Sequence, residues 1–386
     1  MKIAFHSVNC LFDPVSGAAK SVRALLEGLA TRGHQVQSIT AACFDRPDHP
    51  DEGDMLTSIG FAETEAGWQR IHNGITHTAL TAGASVVPGL SYGQLAQSAR
   101  DSLDLLEEFA PDLVISYGGT PAELAVRAHM SRRHTPIAFY LANPNYKDRA
   151  CFKDVDLIMC DTLATANHYR LRLGLESEVI GKPIEPIKRI DGETPRYVTF
   201  INPAFEKGVT LFYRIAEMMA AHQPDIVFQV VESRSKLDSI QKISGMPFSA
   251  FANIRRAGAQ RDMSRIYSRT KVLLIPSLWH ESGPRVALEA MSLGIPLVAS
   301  DHIGVRKAVE GAGTLITVPQ KLRNIHRLIP PPRVALPWVA AIERLMTDEE
   351  SAKEARQTAK ANWQKHISAD PIANLENFLK TLVEQG

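Results

Sequence analysis

Cysteine is scarce in this chain of 386 residues: four, at positions 10, 43, 151 and 160. They are too widely spaced for a CxxC redox pair or a zinc ribbon, and too few for a disulfide scaffold. A reducing compartment is the expectation. Long apolar runs are missing too, since no uninterrupted stretch approaches the ~20 residues of a spanning helix. The opening MKIAFHSVNC has a far briefer apolar part than a signal-peptide core, and Asp13 follows it closely. A soluble, cytosolic protein is expected, meeting a membrane at most peripherally at its inner face. Charge of one sign is not in excess either: 43 Lys and Arg offset 42 Asp and Glu, a formal +1. No bulk field therefore recruits nucleic acid or anionic lipid. What remains is 45% hydrophobic and 22% charged, an ordinary globular balance. At about 100 to 200 residues per domain, the length suggests two domains.

Short apolar runs alternate with longer helical patterns: KIAFHS, residues 18–31, QVQSIT, then residues 95–109 before DLVIS. That rhythm reads as strand, crossover helix, parallel strand. In the first helix Val22, Leu25, Leu26 and Leu29 form one apolar stripe for a sheet face, and Gly33 supplies the stop. Further strands are expected at Ile137–Leu141, Leu157–Cys160 and 178–180, with a helix over 162–173. Residues 181–196, with three prolines and two glycines, break the pattern and read as a linker. The rhythm restarts with RYVTFI, a helix over 207–221, DIVFQVV, a helix near 263–268, and KVLLIP. The expected architecture is α/β: a first Rossmann-like domain over 1–180, the linker, a second over 197–365, and a final helix over 366–386 packing back on the first. Residues 43–67 read as an acidic, turn-rich surface excursion, and 321–337 as a basic, proline-rich segment.

The most informative stretch is IPSLWHESGPRVALEAMSLGIPLVAS, residues 275–300. A buried strand ends at Pro276, a loop follows, and a helix begins close to Pro284, with Val286, Ala290 and Leu293 as its buried stripe and Gly294 as its stop. Glu281 falls in the loop above the strand's carboxyl end and Glu289 in the second helical turn. In open α/β sheets ligands bind outside those strand ends. Two carboxylates placed so can accept hydrogen bonds from several hydroxyls, and a helix start suits phosphate. Sugar, ribose and diphosphate together describe a nucleotide sugar.

Glu281 and Glu289 resemble the E-x7-E signature of the retaining glycosyltransferases of family 4, which have the GT-B fold of two Rossmann-like domains facing across a cleft. SGAAKSVRALLEGLATRGHQV resembles that family's amino-terminal glycine loop and helix. FINPAFEKG resembles its strand, loop and lysine at the start of the second domain, and AQRDMSRIYSRTKVLLIPSLW its lead into the E-x7-E. The resemblance implies that Glu289 holds the ribose, that Glu281 touches the donor sugar hydroxyls, and that Lys207 meets the diphosphate. It implies that Gly17 allows backbone N–H groups to approach phosphate or sugar. Ile201 and Asn202 stand where the family often has Gly-Arg, so Arg285, Arg261 or Arg234 would have to replace that cation. Gly283 and Pro284 follow the first glutamate's serine where the family commonly has an aromatic residue and glycine. Asn143 stands at the place of a histidine near the donor sugar.

The expected activity is metal-independent, retaining transfer of a sugar from a nucleoside-diphosphate sugar to a hydroxyl of a glycan, a lipid-linked acceptor or a small molecule, with no cofactor. Two alternatives stay open: a non-catalytic nucleotide-sugar-binding subunit of the same fold, and a nucleotide-sugar epimerase. The Asp154 and Asp156 pair reads as a polar strand cap rather than a metal set. His72 and His77 lack zinc-helix spacing and read as surface histidines. The pairs Arg132–Arg133 and Arg255–Arg256 read as solvated faces, with an anionic membrane or lipid-linked acceptor as the other partner to consider. Nothing in the sequence sets an oligomeric state.

Overall fold

A computed structural model of the chain describes every residue except 46, 48, 50, 259, 261, 280, 310 and 386, and the side chains of 307 and 308. The described residues divide into two compact units, Met1–Pro183 with Asp370–Gly386, and Ile184–Ala369.

In the first unit the strands are β1 (Lys2–Asn9), β2 (Gln35–Cys43), β3 (Ala62–Thr64), β4 (Gly67–His72), β5 (Ile75–Leu80), β6 (Leu113–Ser116), β7 (Ile137–Leu141), β8 (Leu157–Cys160) and β9 (Glu178–Val179). They make one sheet in the order β3-β4-β5-β2-β1-β6-β7-β8-β9. It is parallel from β5 through β9 and antiparallel at β3-β4-β5. β1 is buried on both faces over six consecutive residues, as a central strand covered by helices must be. The helix Gly17–Thr31 lays Val22, Leu25, Leu26 and Leu29 into that core, the stripe its spacing announces.

Residues 43–67 differ from a plain surface excursion. They contain the helix Glu52–Ser58 and β3, and Met55, Leu56, Ile59 and Phe61 are buried. Helical spacing of three of these four apolar residues outweighs the acidic composition around them. The Glu52 carboxylate also accepts from the Ala82 and Gly83 N–H groups at 2.8 and 2.9 Å. His77, expected at the surface, is 1% exposed and shares a 2.7 Å hydrogen bond with Ser38, because β5 lies between β2 and β4 rather than at an edge. Burial holds its imidazole down to about 3, so it is neutral. Asp156 caps β7 by accepting from Ile137 N–H at 2.8 Å. Arg133 pairs with Glu107, and Arg256 with Glu232 and Asp238, so neither arginine pair is a block of uncompensated charge.

The helix Pro371–Gln385 belongs to the first unit, where Leu375 and Leu379 are fully buried. Its Glu376 carboxylate binds Lys380 at 2.6 Å, His34 at 3.1 Å and Arg32 at 3.1 Å. The Lys380 hydrogen bond, opposed by burial and joined by His34 and Arg32, holds this carboxyl at about 2 against an ordinary 4.5. A carboxyl depressed by folding stabilises the native state above its unfolded value and loses that contribution as pH falls through its folded value. Melting of wild type and Glu376→Gln should therefore differ most near about pH 6, wild type being the more stable, with the gap closing between about pH 4.5 and pH 2. A gap that stays constant over that range would exclude the carboxylate as the tie.

The second unit contains β10 (Tyr197–Ile201), β11 (Phe228–Val231), β12 (Ile254–Ala257), β13 (Thr270–Ile275), β14 (Leu297–Ser300) and β15 (Gly313–Ile316). They form a wholly parallel sheet in the order β12-β11-β10-β13-β14-β15. Counted from its own first strand this is the doubly wound order 3-2-1-4-5-6. Strand order reverses between β10 and β13. A ligand crevice is expected outside the carboxyl ends of those two strands, where the 202–208 and 276–284 loops emerge.

Candidate functional site

The first of these loops leaves β10 at Asn202, whose φ of +61° turns the chain sharply. The loop ends at Gly208, the N-cap of the helix Val209–His222, at φ +84°. A Cβ at Gly208 would overlap the Pro276 carbonyl oxygen, so glycine is needed both for the backbone angle and for the approach of the second loop. That approach is fastened by Glu206, whose carbonyl accepts from the N–H groups of Leu278 and Trp279 at 2.9 and 3.0 Å. The two loops at the switch point are thereby one assembly.

Lys207 and Glu281 meet across it. The Lys207 ammonium donates to Glu281 Oε1 at 2.6 Å, and the Ser277 hydroxyl donates to the same oxygen. Ser277 is held in turn by His302, whose Nε2 donates to the Ser277 carbonyl at 2.6 Å, the carbonyl having only lone pairs to offer. Glu281 is 6% exposed, while about a third of the Lys207 side chain (32%) reaches solvent. Burial raises the Glu281 carboxyl, but the charge and hydrogen bond of Lys207, the Ser277 hydroxyl and His302 outweigh it, and the net displacement is downward. Glu281 is thus an ionised acceptor at neutral pH, not a proton donor. Behind it, Gly304 lies so close that a Cβ there would overlap the Glu281 carbonyl, and Gly283 adopts φ +129° just ahead of Pro284.

Glu289 sits on the helix Arg285–Ser292, one turn after Arg285. Its Oε1 is 3.4 Å from Arg285 Nε, and its Oε2 accepts from the Tyr267 hydroxyl at 2.7 Å. Both members of the ion pair are largely covered, at 16% and 14% side-chain exposure, so this is not the loose surface pair that i, i+4 spacing often gives. The helix buries Ala287, Leu288, Ala290 and Met291, and Val286 and Leu293 pack at the rim of the same cluster rather than at its centre.

Among the other residues singled out by sequence, Asn202 uses its carboxamide oxygen to accept from Ser235 N–H at 3.3 Å, which ties the loop after β11 to the loop after β10. Arg234 lies exposed in that former loop, and Arg261 lies outside the described residues. Gly17 and Asn143 are in the first unit. Gly17 is the exposed first residue of its helix, behind the N-cap Ser16. The Asn143 carboxamide donates to Tyr117 at 3.2 Å and accepts from Asn145 N–H at 3.0 Å. Tyr267, Ser277 and His302 carry no signal of this role in the sequence: Tyr267 and His302 meet their partners across elements, Ser277 meets Glu281 within one irregular loop, and no local periodicity marks any of them.

Residues 184–362 match the family described as glycosyl transferases group 1. Among curated proteins none matches the sequence. Solved structures do match along nearly their whole length. Sucrose-phosphate synthase from Thermosynechococcus elongatus aligns over 100% of both chains at 15% identity and a TM-score of 0.68. Anabaena Alr3699/HepE, solved in complex with UDP-glucose, aligns over 100% of both at 15% identity and 0.70. A glycosyltransferase from Rickettsia africae covers 100% of this chain and 99% of its own at 13% identity and 0.63. At such identities these likenesses establish the fold. Among the described residues no helix is long and apolar enough to cross a membrane. With two Rossmann-like units and a family match over 184–362, the chain has the GT-B fold, and its second unit is similar to the group 1 glycosyl transferases.

Proposed function

We propose that this protein is a retaining glycosyltransferase of the family 4 type, using Glu281 and Glu289 as its E-x7-E pair to move a sugar from a nucleoside-diphosphate sugar to a hydroxyl acceptor. The observation that carries the proposal is the Lys207–Glu281 contact of 2.6 Å at the sheet's switch point, inside the segment similar to the group 1 glycosyl transferases. In this reading the ionised Glu281 accepts hydrogen bonds from donor sugar hydroxyls, Glu289 accepts from the ribose, and Gly283 leaves the loop free of a side chain beside them. Asn202 contributes by holding the loop that carries Lys207.

The chemistry then follows from charge. As the glycosidic bond breaks, the nucleoside diphosphate gains negative charge, and Lys207, Arg285 and the positive end of the Arg285–Ser292 helix dipole compensate it. Arg285 takes the place of the cation expected near Asn202. No metal ion or cofactor is required for that compensation. In same-face substitution the departing phosphate oxygen accepts the acceptor hydroxyl's proton, so no separate protein base is invoked. The acceptor is a glycan, a lipid-linked sugar or a small molecule, and a lipid-linked one would be reached by peripheral contact from the cytosolic side.

A panel of nucleotide sugars, led by UDP-glucose because a similar structure holds it, tests the proposal by thermal shift and slow donor hydrolysis. One donor should raise the melting temperature and be cleaved, since ligand bound only to the native state stabilises it. Glu289→Gln should weaken that donor's binding about tenfold, as loss of a charged acceptor for ribose hydroxyls would. Binding without cleavage under every acceptor would favour a non-catalytic subunit. Sugar isomerisation with no acceptor added would favour an epimerase.

A further inference from the structure

Glu289 can serve a ribose only if its carboxylate faces the ligand in one orientation, and a glutamate on a helix face has three rotatable bonds to fix. The helix itself supplies only Arg285, whose Nε is 3.4 Å from Oε1, a distance at which charge acts but geometry is loosely set. The second carboxylate oxygen is treated differently. It receives the Tyr267 hydroxyl at 2.7 Å from a side chain with 0% exposure.

Tyr267 lies on the short helix Ser264–Ser268, which precedes β13, and its ring is packed with Leu273, Ala287, Ala290 and Met291 in one apolar cluster. A ring so enclosed has no other rotamer to visit, so its hydroxyl is a fixed point. Burial and the nearby Glu289 charge keep the phenol well above its ordinary value, so it stays a donor at every working pH. A buried tyrosine hydroxyl needs a partner, and here the partner is one of the two glutamates to which substrate contacts are assigned.

We infer that Tyr267 is a positioning residue for nucleotide recognition, anchoring one oxygen of Glu289 so that the other is presented to the ribose hydroxyls. The inference rests on the ribose assignment of Glu289 made above. Tyr267 touches no substrate atom itself. It removes the orientational freedom that Glu289 would otherwise lose on binding.

The test measures binding of whichever of uridine, adenosine and guanosine diphosphate raises the wild-type melting temperature most, and of its 2′,3′-dideoxyribose counterpart. Wild type, Tyr267→Phe, Glu289→Gln and the double variant are compared well below each protein's own melting midpoint, which keeps a mild stability loss out of the result. Tyr267→Phe should weaken the ribose form about fivefold and the dideoxy form hardly at all, as expected for one lost hydrogen bond to a charged group acting through the ribose. The double variant should bind no more weakly than Glu289→Gln alone. Should Glu289→Gln lose ribose discrimination while Tyr267→Phe keeps it in full, the positioning role is overturned and the site assignment survives. If Glu289→Gln, or the wild type, shows no ribose dependence, both fall. Equal weakening of ribose and dideoxy forms by Tyr267→Phe would mark a merely structural tyrosine and also overturn the inference.

Discussion

Lys207→Ala should lower turnover by about 10²- to 10³-fold, the loss seen when a donor aimed at developing negative charge is removed from an active site. Lys207 is the cation that reaches the switch-point loops with part of its side chain in solvent, so it can meet a ligand while paired with Glu281. Removing it has a second effect. Among the described residues, Glu281, 6% exposed, then keeps Ser277 and the charge of His302 as favourable partners. A buried carboxylate stripped of its counter-charge costs about 2 kcal/mol here, less than for a wholly buried pair because Lys207 is partly solvated. Without the two Lys207 contributions the balance moves toward burial, and the Glu281 carboxyl in the variant lies higher than in wild type. A carboxyl held less far down binds its proton more readily in the native state than it does in wild type, so the variant gains stability relative to wild type as pH falls. The melting gap between wild type and Lys207→Ala should be widest near neutrality and narrow toward about pH 4. Lys207→Arg separates the two effects: it should restore stability, while turnover recovers only in part, since the guanidinium presents a different geometry. Full turnover in Lys207→Ala would remove the lysine from the chemistry.

A comparable loss should come from a single methyl group with no charge at all. Gly208→Ala places a Cβ on the Pro276 carbonyl oxygen at φ +84°. The left-handed angle alone costs about 1 kcal/mol for a residue with a side chain. The overlap with backbone cannot be relieved by a rotamer change, and the total should reach about 3 kcal/mol or more. Gly192→Ala is the internal control. Its φ is +79° and a Cβ there meets nothing within 4 Å, so it carries the angle without the collision. Melting of the two variants should differ by about 2 kcal/mol in stability, and only Gly208→Ala should lose donor cleavage, because it forces the Lys207 loop away from the Glu281 loop. Equal destabilisation by the two substitutions would mean that the contact at Pro276 yields easily and the loops are not one rigid assembly.

The residues that announced themselves in the sequence share a property: their role is visible from neighbours along the chain. The stripe of Val22, Leu25, Leu26 and Leu29 and the strand-helix alternation depend on local periodicity, and the sheets are built accordingly. Glu281 and Glu289 stood out because a strand end, a loop and a helix start follow one another within a few residues. What stayed hidden depends on strands and loops distant in sequence but adjacent in space. Asn202 stands where an arginine is expected, yet β10 lies beside β11, and that adjacency hands its carboxamide oxygen to Ser235. Tyr267 is one apolar position in a short helix until β13 brings it beneath Glu289, 22 residues later. His77 reads as a surface histidine because it lacks the spacing of a zinc helix, but the position of β5 within the sheet buries it. Residues 43–67 misled through composition, since acidic turn formers mask the apolar set Met55, Leu56, Ile59 and Phe61.

The claim on which the functional reading turns is that Lys207, Glu281 and Glu289 serve one bound nucleotide sugar. A crystal structure of the protein with a nucleoside-diphosphate sugar, chosen from the donor panel, tests it most directly. The diphosphate should lie within about 3 Å of the Lys207 ammonium, the ribose hydroxyls should bond to the Glu289 oxygen not held by Tyr267, and the sugar hydroxyls should reach Glu281. A nucleotide seated away from the ends of β10 and β13, or one whose ribose and sugar leave both glutamates in contact only with their present protein partners, would contradict it.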